Sequence, residues 1–399
     1  MKLLRYIVAR RAIWSLRIQV FVSGAVIMAL ELVGSRLLIP VWGNSIFVWG
    51  SLIGVVLTGL SIGYYYGGRL ADRSPALSTF SSIVFSGGLY TVIIPFISPV
   101  IIDFTLRLGL GDRYGPLLGT SVILGPPAVL LGMLAPYAVR IATDTLTSLG
   151  NVAGNLYSLS TVGSIFGTFF TVFVLIPSFE IRSIVFGLGL SLMAVSLLGL
   201  TRGPLLLFLF IAILLLSPLS SFAVGLYSHT GNLVFEKETP YSHLDVVDRG
   251  NTRTLYLNGM SNSAMYLNDS SNLVFTYTRY FQLGFLFNPH IRDVLFVGGG
   301  GFSGPKNFLD TYQDVRVDVV EIDPDVIAVA NEFFDVREDP RLTVINGDAR
   351  RYLTESERTY DLIVLDAYSK VYVPFHLMTV EFYRLLHSRL TPDGVVVSN

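Results

Sequence analysis

The chain has 399 residues, of which 52% are hydrophobic and 14% are charged. Soluble proteins carry about 25% charged residues, so this composition argues against a wholly soluble chain and predicts that much of it lies in lipid. Cysteine is absent, which excludes disulfides, zinc–thiolate sites and cysteine nucleophiles. The net charge of −1 conceals an asymmetry: the chain has 13 Lys/Arg and 6 Asp/Glu through Phe222, but 15 Lys/Arg and 23 Asp/Glu beyond it. The acidic second part argues against nucleic acid as a partner and favours a cationic partner.

The first part of the chain contains apolar segments that are long enough to cross a membrane. We predict seven: Leu16–Ile39, Phe47–Gly67, Ser78–Ile102, Pro116–Ala142, Gly154–Pro177, Ile184–Leu200 and Pro204–Phe222. The small-residue spacings Gly63-x-x-x-Gly67 and Gly163-x-x-x-Gly167 favour helices that approach each other closely. Residues 1–222 are therefore predicted to form a multi-pass transmembrane helical domain.

The orientation of these segments presents a conflict. The basic N-terminus and the pair Arg69 and Arg73 predict a cytoplasmic N-terminus by the positive-inside rule. Seven crossings would then place the second part of the chain outside the cell, whereas a nucleoside cofactor is available only inside. We therefore expect that one segment does not cross, either around residues 78–109 or the last one, so that the soluble domain is cytoplasmic.

One ionisable residue, Glu31, follows an uninterrupted apolar stretch in the first segment and precedes Arg36 by five residues. A carboxylate at such depth requires a cavity or a partner. It is a candidate contact for an amine or a lipid headgroup, and a structural ion pair with an arginine is the alternative.

The composition changes after Phe222. Tyr241–Val247 and Arg253–Leu257 predict a β-hairpin, and Leu273–Phe287 predicts a helix. We assign residues 223–290 to a small β-region with one helix.

A glycine-rich stretch follows. An apolar run from Val294 to Val297 enters four glycines, Gly298–Gly301, and a pattern that can open a helix comes next. Glu321 closes the next apolar run about twenty residues later, where nucleoside-binding sheets place an acid that accepts hydrogen bonds from ribose hydroxyls. The alternative is a flexible glycine turn beside a solvated acid.

Strands and helices then alternate to the end of the sequence. Helices are predicted at Pro324–Phe333, with Asp323 as its cap, and at Met378–Arg389; strands are predicted at Leu342–Ile345, Tyr360–Leu365 and Val395–Ser398. This alternation predicts an α/β Rossmann-like, doubly wound domain over residues 291–399, which we expect to lack its last strand. The carboxyl ends of its strands supply Gly298–Gly301, Glu321, Asp348 and Asp366, where such sheets bind ligands.

These residues carry a family resemblance. Residues 236–399 resemble the spermidine synthases, which are polyamine aminopropyltransferases with a methyltransferase-type fold. Gly34–Arg73 and Gly154–Pro177 resemble the multi-pass segment that is fused to such domains in some prokaryotes. The resemblance implies decarboxylated S-adenosylmethionine as the co-substrate and a small amine or polyamine as the acceptor.

The resemblance also implies roles for individual residues. Gly298, Gly299 and Gly300 would line the methionine-derived part of the co-substrate, Glu321 would hold the ribose hydroxyls, Asp348 and Ala349 would contact the adenine, and Asp366 would face the acceptor amine.

The sequence departs from the family pattern on the acceptor side. Gly301 and Phe302 replace the acid and the last glycine of GGGDG, and the loop that begins at Asp366 lacks the second aspartate. The family's tyrosine–glutamine pair is represented by Tyr241-Ser242-His243, and its Tyr-His-Glu by Phe275-Thr276-Tyr277. We predict that His376 and Glu381 are candidates for the missing catalytic role, and that Tyr241, His243 and Glu31 contact substrate. No metal is expected.

Three functions are compatible with the sequence. The first is a membrane-bound aminopropyltransferase in the cell membrane. The second is a methyltransferase that uses intact S-adenosylmethionine on a membrane-associated substrate. The third is a polyamine transporter or sensor whose soluble part only binds. The expected partners are an amine and the lipid bilayer, without nucleic acid, and a homo-oligomer is left open.

Overall fold

The computed structural model describes residues 2–43, 45–143, 149–200, 211, 231–367 and 375–399, with side chains from residue 12 onward. The chain divides into two compact units, Met1–Leu226 and Tyr227–Asn399. The predicted span at 204–222, apart from Ile211, and the loop residues 368–374 lie outside the described residues.

The described residues of the N-terminal unit form helices that are joined by short turns. Its helices are α1 (Lys2–Trp42), α2 (Ile46–Arg73), α3 (Leu77–Arg107), α4 (Gly111–Ile123), α5 (Gly125–Gly132), α6 (Leu134–Ala142), α7 (Leu149–Phe170), a π-helical turn (Thr171–Leu175), α8 (Ile176–Ser178) and α9 (Ile181–Ser196).

The number of spans differs from the seven that the sequence predicts. Among the described residues, five helical segments are long and apolar enough to cross a membrane: Ala12–Trp42, Ile46–Arg73, Leu77–Arg107, Gly125–Ala142 and Leu149–Ser178. The segment Ile181–Ser196 is apolar but shorter. The predicted segment 116–142 is divided at Leu124 and Met133 because prolines follow both positions and cannot donate the backbone hydrogen bond of a continuous helix.

The small-residue spacings do mark close helix contacts, as predicted. A Cβ atom on Gly63 would lie 2.3 Å from the carbonyl oxygen of Val129, and one on Gly163 would lie 2.2 Å from that of Phe21. Real Cβ atoms do not approach so closely, so α2 packs on α5 and α7 packs on α1 at distances that only glycine permits.

Contacts between helix ends show that the segments alternate in direction. Gly199, just after α9, lies against Ser81 at the start of α3 and Gln19 in the first half of α1. Arg140 at the end of α6 forms an ion pair with Asp72 at the end of α2, with 3.2 Å between Nε and Oδ1. The helices α2, α6 and α9 therefore end at the same end of the bundle at which α1 and α3 begin.

The C-terminal unit begins with a five-stranded antiparallel sheet. Its strands, in spatial order, are β1 (Asn232–Glu238), β2 (His243–Arg249), β3 (Thr252–Leu257), β4 (Met260–Tyr266) and β5 (Asp269–Leu273). The predicted hairpin is β2–β3, whereas β1 was not predicted.

The predicted helix Leu273–Phe287 is wrong over most of its length, because it is a 3₁₀ helix (Thr276–Leu283) followed by the short α10 (Gly284–Phe287). The hydroxyl of Thr278 bonds to the Phe275 carbonyl, a local bond that competes with α-helical pairing.

A parallel α/β sheet follows, as predicted. Its elements are β6 (Asp293–Val297), α11 (Ser303–Thr311), β7 (Arg316–Glu321), α12 (Pro324–Phe333), β8 (Leu342–Asn346), α13 (Ala349–Glu355), β9 (Tyr360–Leu365), α14 (Val380–Ser388) and β10 (Leu390–Ser398). The strand order is β10-β9-β6-β7-β8. Phe296 and Val319 pack on one face of the sheet and Leu295 and Val320 pack on the other, so apolar cores cover both faces.

This strand order determines where a ligand can bind. The chain runs from β6 outward to β7 and β8, and then returns to β9 on the other side of β6. The switch point therefore lies between β6 and β9, and the carboxyl ends of these strands border the crevice in which doubly wound sheets bind ligands.

Candidate active site

The glycine loop after β6 has a backbone that requires glycine. Gly298 has φ +98° and Gly300 has φ +49°, values that side chains rarely tolerate. A Cβ atom on Gly298 would also lie 2.5 Å from the carbonyl oxygen of Asp366. The loop after β6 and the chain after β9 are thus in backbone contact at the switch point.

Glu321, at the end of β7, holds this loop in place. Its Oε2 accepts hydrogen bonds from the backbone N–H groups of Gly299 (2.9 Å) and Gly300 (3.3 Å), and its Oε1 accepts one from Asp323 (3.0 Å). The residue is only 9% exposed. Sequence reasoning assigned Glu321 to the ribose alone, whereas the structure adds a role in shaping the loop; the ribose contact stays a prediction.

Asp366 follows β9 and faces two hydrogen-bond donors. Its Oδ2 accepts a long hydrogen bond from the hydroxyl of Tyr277 (3.4 Å), and its Oδ1 accepts one from the Asn399 amide (3.0 Å). Burial raises the pKa of Asp366 to about 6, against the opposite effect of these two bonds. Burial, together with the negative charge of Asp366, also raises the pKa of Tyr277, so its hydroxyl remains a donor at neutral pH.

Tyr277 is a site residue to which sequence reasoning assigned no role. It stands within the triplet Phe275-Thr276-Tyr277, but only its place on the 3₁₀ helix directs its hydroxyl to Asp366. The phenolic hydroxyl of the tyrosine in this triplet was the feature of the sequence that could have indicated a site residue.

A small cavity of about 20 Å³ lies between the glycine loop, the 3₁₀ helix and β4. The side chains and backbone that line it are those of Asn262, Ser263, Tyr277, Thr278, Phe281, Phe296, Gly298, Gly299, Gly300, Ser303, Gly304, Pro305 and Asp366. No lysine, arginine or histidine is among these described residues, and Asp366 supplies the only carboxylate. The cavity is therefore suited to a cationic group.

Asn262 is a second residue that the sequence did not single out. The register between β3 and β4 shifts where Leu255 pairs with Ser263 and Tyr256 pairs with Ser261, which leaves Asn262 in a bulge. Its Oδ1 would lie 2.7 Å from a Cβ atom on Gly300. Bulges commonly re-aim a side chain beside a functional site, and this one turns an amide toward the glycine loop.

Comparison with known proteins finds similar sequences among polyamine aminopropyltransferases. Residues 275–399 match the model of the spermine/spermidine synthase domain. The chain is 31% identical over 194 residues to a polyamine aminopropyltransferase of Vibrio vulnificus, covering 47% of this chain and 64% of that protein. It is 28% identical over 191 residues to a probable polyamine aminopropyl transferase of Bifidobacterium longum, covering 48% and 42%. The spermine/spermidine synthase family is therefore the family to which residues 275–399 are similar, as the sequence predicted.

The matches extend over less than two thirds of these relatives. A solved structure of a probable spermidine synthase from Corynebacterium glutamicum is also similar, with 24% identity and a TM-score of 0.38 over 43% of this chain and 64% of that one. A spermidine synthase from Thermotoga maritima has 21% identity and a TM-score of 0.36, over 42% and 56%. The fold assignment rests on the strand order described above.

Gly301 stands where the synthase-type glycine pattern has an acid, and the structure leaves little space for a side chain at this position. A Cβ atom on Gly301 would lie 2.8 Å from the ring of Phe334 and 2.9 Å from the Ser263 hydroxyl. Any larger side chain at this position requires one of these groups to move. Phe302, the next residue, is fully buried at φ +56°, a conformation that favours glycine.

The α/β domain places Asp348 and Ala349 at the start of α13. Asp348 caps this helix, since its Oδ1 accepts a hydrogen bond from the Arg351 N–H (2.9 Å). Its Oδ2 lies 3.0 Å from Nε2 of His376. Ala349 is buried behind the cap. The described partner of His376 is thus Asp348 rather than Asp366, so its predicted catalytic role gains no support from these contacts.

The remaining predicted site residues are dispersed. Glu381 is exposed in the first turn of α14, and Tyr241 is 51% exposed just before β2. Glu31 belongs to the N-terminal unit. His243 is buried beside three carboxylates; burial alone would lower its pKa, but hydrogen bonds with Asp245, Glu236 and Glu238 raise it to about 11.

Proposed function

We propose that the protein is an aminopropyltransferase that moves the aminopropyl group of decarboxylated S-adenosylmethionine to an amine. The observation that carries this proposal is the position of Asp366, which lies in backbone contact with the glycine loop and accepts a hydrogen bond from Tyr277. A carboxylate beside a nucleoside-binding loop is where an amine would attack the bound co-substrate.

The glycine loop and Glu321 fit the nucleoside part of this co-substrate. A Cβ atom at Gly298 would collide with the Asp366 backbone, and one at Gly300 would collide with Asn262. Only glycine therefore lets the loop pack this closely against these two residues. The resemblance assigns the ribose hydroxyls to Glu321 and the adenine to Asp348 and Ala349.

The chemistry requires a positioned amine and a proton acceptor. The neutral acceptor nitrogen forms a bond to the carbon next to the sulfonium as the carbon–sulfur bond breaks, and 5′-methylthioadenosine leaves with the electron pair. The proton that the nitrogen must lose passes to Asp366, and Tyr277 stabilises the carboxylate that receives it. No metal or redox partner enters this balance.

The charges around the cavity favour the decarboxylated co-substrate over the intact one. Asp366 attracts the ammonium of an aminopropyl group, and no cationic side chain among the described lining residues would compensate the carboxylate of intact S-adenosylmethionine. Glu321 also occupies the N–H groups of Gly299 and Gly300. A methyltransferase is the second candidate, because Gly301 removes the acid that the synthases use to hold the aminopropyl amine.

The two candidates release different products. The purified protein, supplied with each form of the co-substrate and with putrescine or spermidine, should release 5′-methylthioadenosine from the decarboxylated form. Release of S-adenosylhomocysteine from the intact form would instead identify a methyltransferase. Binding of either form without product would favour the transporter or sensor hypothesis.

The raised pKa of Asp366 predicts how activity depends on pH. The carboxyl titrates near pH 6 instead of near its ordinary value of 3.8, so the proton acceptor is lost as the pH falls through about 6. Below that point the logarithm of kcat/KM should fall with a slope about one unit steeper than above it. Release of 5′-methylthioadenosine between about pH 5 and 8 measures this break, and Asp366→Asn should abolish it. A constant slope in the unsubstituted protein would contradict the role of Asp366.

We further propose that the described residues of the N-terminal unit cross the cell membrane six times. The crossings are α1, α2, α3, the broken segment α4–α6, α7, and the shorter α9, and their alternating directions bring the chain at Gly199 back to the end at which α1 starts. Within residues 2–200, that end carries eight of the lysines and arginines and the opposite end carries four. By the positive-inside rule the first end is cytoplasmic, which removes the conflict that seven crossings created.

The absence of cysteine makes this topology testable by single-cysteine labelling. Asp112→Cys lies at the opposite end of the bundle, and Glu355→Cys lies on an exposed turn of α13. A membrane-impermeant maleimide applied to intact cells should label Asp112→Cys and should leave Glu355→Cys unlabelled until the cells are opened. Labelling of Glu355→Cys in intact cells would place the synthase domain outside and refute the proposal.

A further inference from the structure

Four titratable side chains share one face of the small antiparallel sheet. In the pairing of β1 with β2, Glu236 lies opposite Asp245 and Glu238 lies opposite His243. Directly opposed residues, and residues two apart on one strand, point to the same face of a sheet. The pairing of β1 with β2 therefore brings three carboxylates and one imidazole together, and none of them lines the cavity at the glycine loop.

The distances in this group match those of a metal site. His243 Nε2 lies 3.0 Å from Asp245 Oδ1 and 3.3 Å from Glu236 Oε1, and one ligand atom from each of the three residues lies within 4.8 Å of the others. Ligand atoms bound tetrahedrally at about 2.0–2.1 Å from Zn²⁺ are about 3.3–3.4 Å apart. An ion between these atoms would need only small side-chain movements.

The fourth residue orients the imidazole. Nδ1 of His243 lies 2.8 Å from Oε1 of Glu238, whose side chain is only 10% exposed. Histidines that bind metals usually donate one ring N–H to a carboxylate, which fixes the tautomer and directs the second ring nitrogen at the ion. Here that nitrogen, Nε2, faces Asp245 and Glu236.

Burial differs across the group. The side chains of His243 and Asp245 are 8% and 2% exposed, whereas that of Glu236 is 40% exposed. Two candidate ligands are thus held rigidly by the sheet, and the third lies at the surface, where an ion can enter and where water can complete its coordination.

We propose that Glu236, His243 and Asp245 bind a divalent transition-metal ion of the Zn²⁺ class, with Glu238 orienting the imidazole and solvent completing the coordination. A mixed imidazole and carboxylate set favours such ions over the harder Mg²⁺ and Ca²⁺, which prefer oxygen ligands alone. The ion would join the edge strand β1 to β2 and is independent of the proposed transferase chemistry.

Calorimetric titration of the full-length protein in detergent, after treatment with a chelator and with ZnCl₂ as the probe, tests this site. We expect one ion per chain and a higher temperature of unfolding in its presence. Because the bound imidazole must be unprotonated, binding should also release about one proton per ion, which titrations in two buffers of different ionisation enthalpy detect.

Substitutions identify the ligands. Glu236→Gln, at the exposed edge of the group, should weaken zinc binding at least about tenfold, and Glu238→Gln should weaken it about 10–100-fold. The exposed residues Glu332 and His387 provide matched controls, because Glu332→Gln and His387→Gln should bind zinc like the unsubstituted protein. Asp245→Asn is a less decisive variant, because the buried Asp245 contributes to folding as well.

Three results would overturn the proposal. The first is no zinc binding by the folded protein. The second is zinc binding that releases no proton and is unaffected by Glu236→Gln, which would be adventitious binding to surface carboxylates. The third is stabilisation by spermidine that zinc does not reproduce, which would make the group an amine site. None of these results depends on the transferase activity.

Discussion

Replacement of Asp366 by asparagine should lower turnover by a factor of about 10²–10⁴, the usual contribution of a general base. The asparagine keeps the shape of the side chain and can still accept one hydrogen bond, but it cannot take the proton of the acceptor amine. Since Asp366 contacts the glycine loop through its carbonyl oxygen, the loop should keep its conformation. Release of 5′-methylthioadenosine measures turnover, and calorimetry with 5′-methylthioadenosine measures nucleoside affinity, which should change little.

Two further variants test whether the effect of Asp366→Asn comes from the lost carboxylate of the site. Asp393→Asn removes an exposed aspartate of the same sheet and should leave turnover unchanged. Tyr277→Phe removes a donor to Asp366, so it should raise the pKa of that carboxyl further and move the acid break in the pH profile to a higher pH. Turnover by Asp366→Asn at the level of Asp393→Asn would exclude Asp366 as the proton acceptor. A loss of nucleoside affinity that fully explains the loss of turnover would do the same.

Replacement of Glu321 by alanine should weaken nucleoside binding by about 1–3 kcal/mol, which is about 5–150-fold in Kd. The carboxylate accepts backbone hydrogen bonds from Gly299 and Gly300, so its removal leaves buried N–H groups without an acceptor and loosens the loop. It also removes the expected acceptor of the ribose hydroxyls. We therefore expect loss of affinity from both causes.

Calorimetry with 5′-methylthioadenosine is the appropriate measurement, because this ligand has no charged tail and reports on the nucleoside alone. Glu332→Ala, an exposed glutamate on α12, is the matched control and should bind normally. Glu321→Gln keeps an acceptor oxygen without the charge and should fall between the two. If folded Glu321→Ala binds as tightly as the control, the nucleoside site is not at the end of β7.

The sequence alone was sufficient for the α/β domain and for the strand ends at which its candidate site residues lie. The helix Pro324–Phe333, its cap Asp323 and the strand Tyr360–Leu365 have the predicted bounds, because buried parallel strands are continuous apolar runs and helix caps are local signals. The positions of Glu321 and Asp366 at strand ends follow from the same pattern. Glycine spacing likewise predicted close contacts between helices of the N-terminal unit.

Only the tertiary structure showed the contacts between residues that are distant in the sequence. Tyr277 and Asp366 are far apart in the chain, and only the 3₁₀ helix brings the hydroxyl to the carboxylate. The glutamates of β1 meet His243 only through strand pairing, whose register depends on contacts between separate segments. The directions of the apolar helices belong to the same class, because hydropathy gives the length of each segment, whereas the relative directions follow from which helix ends lie together.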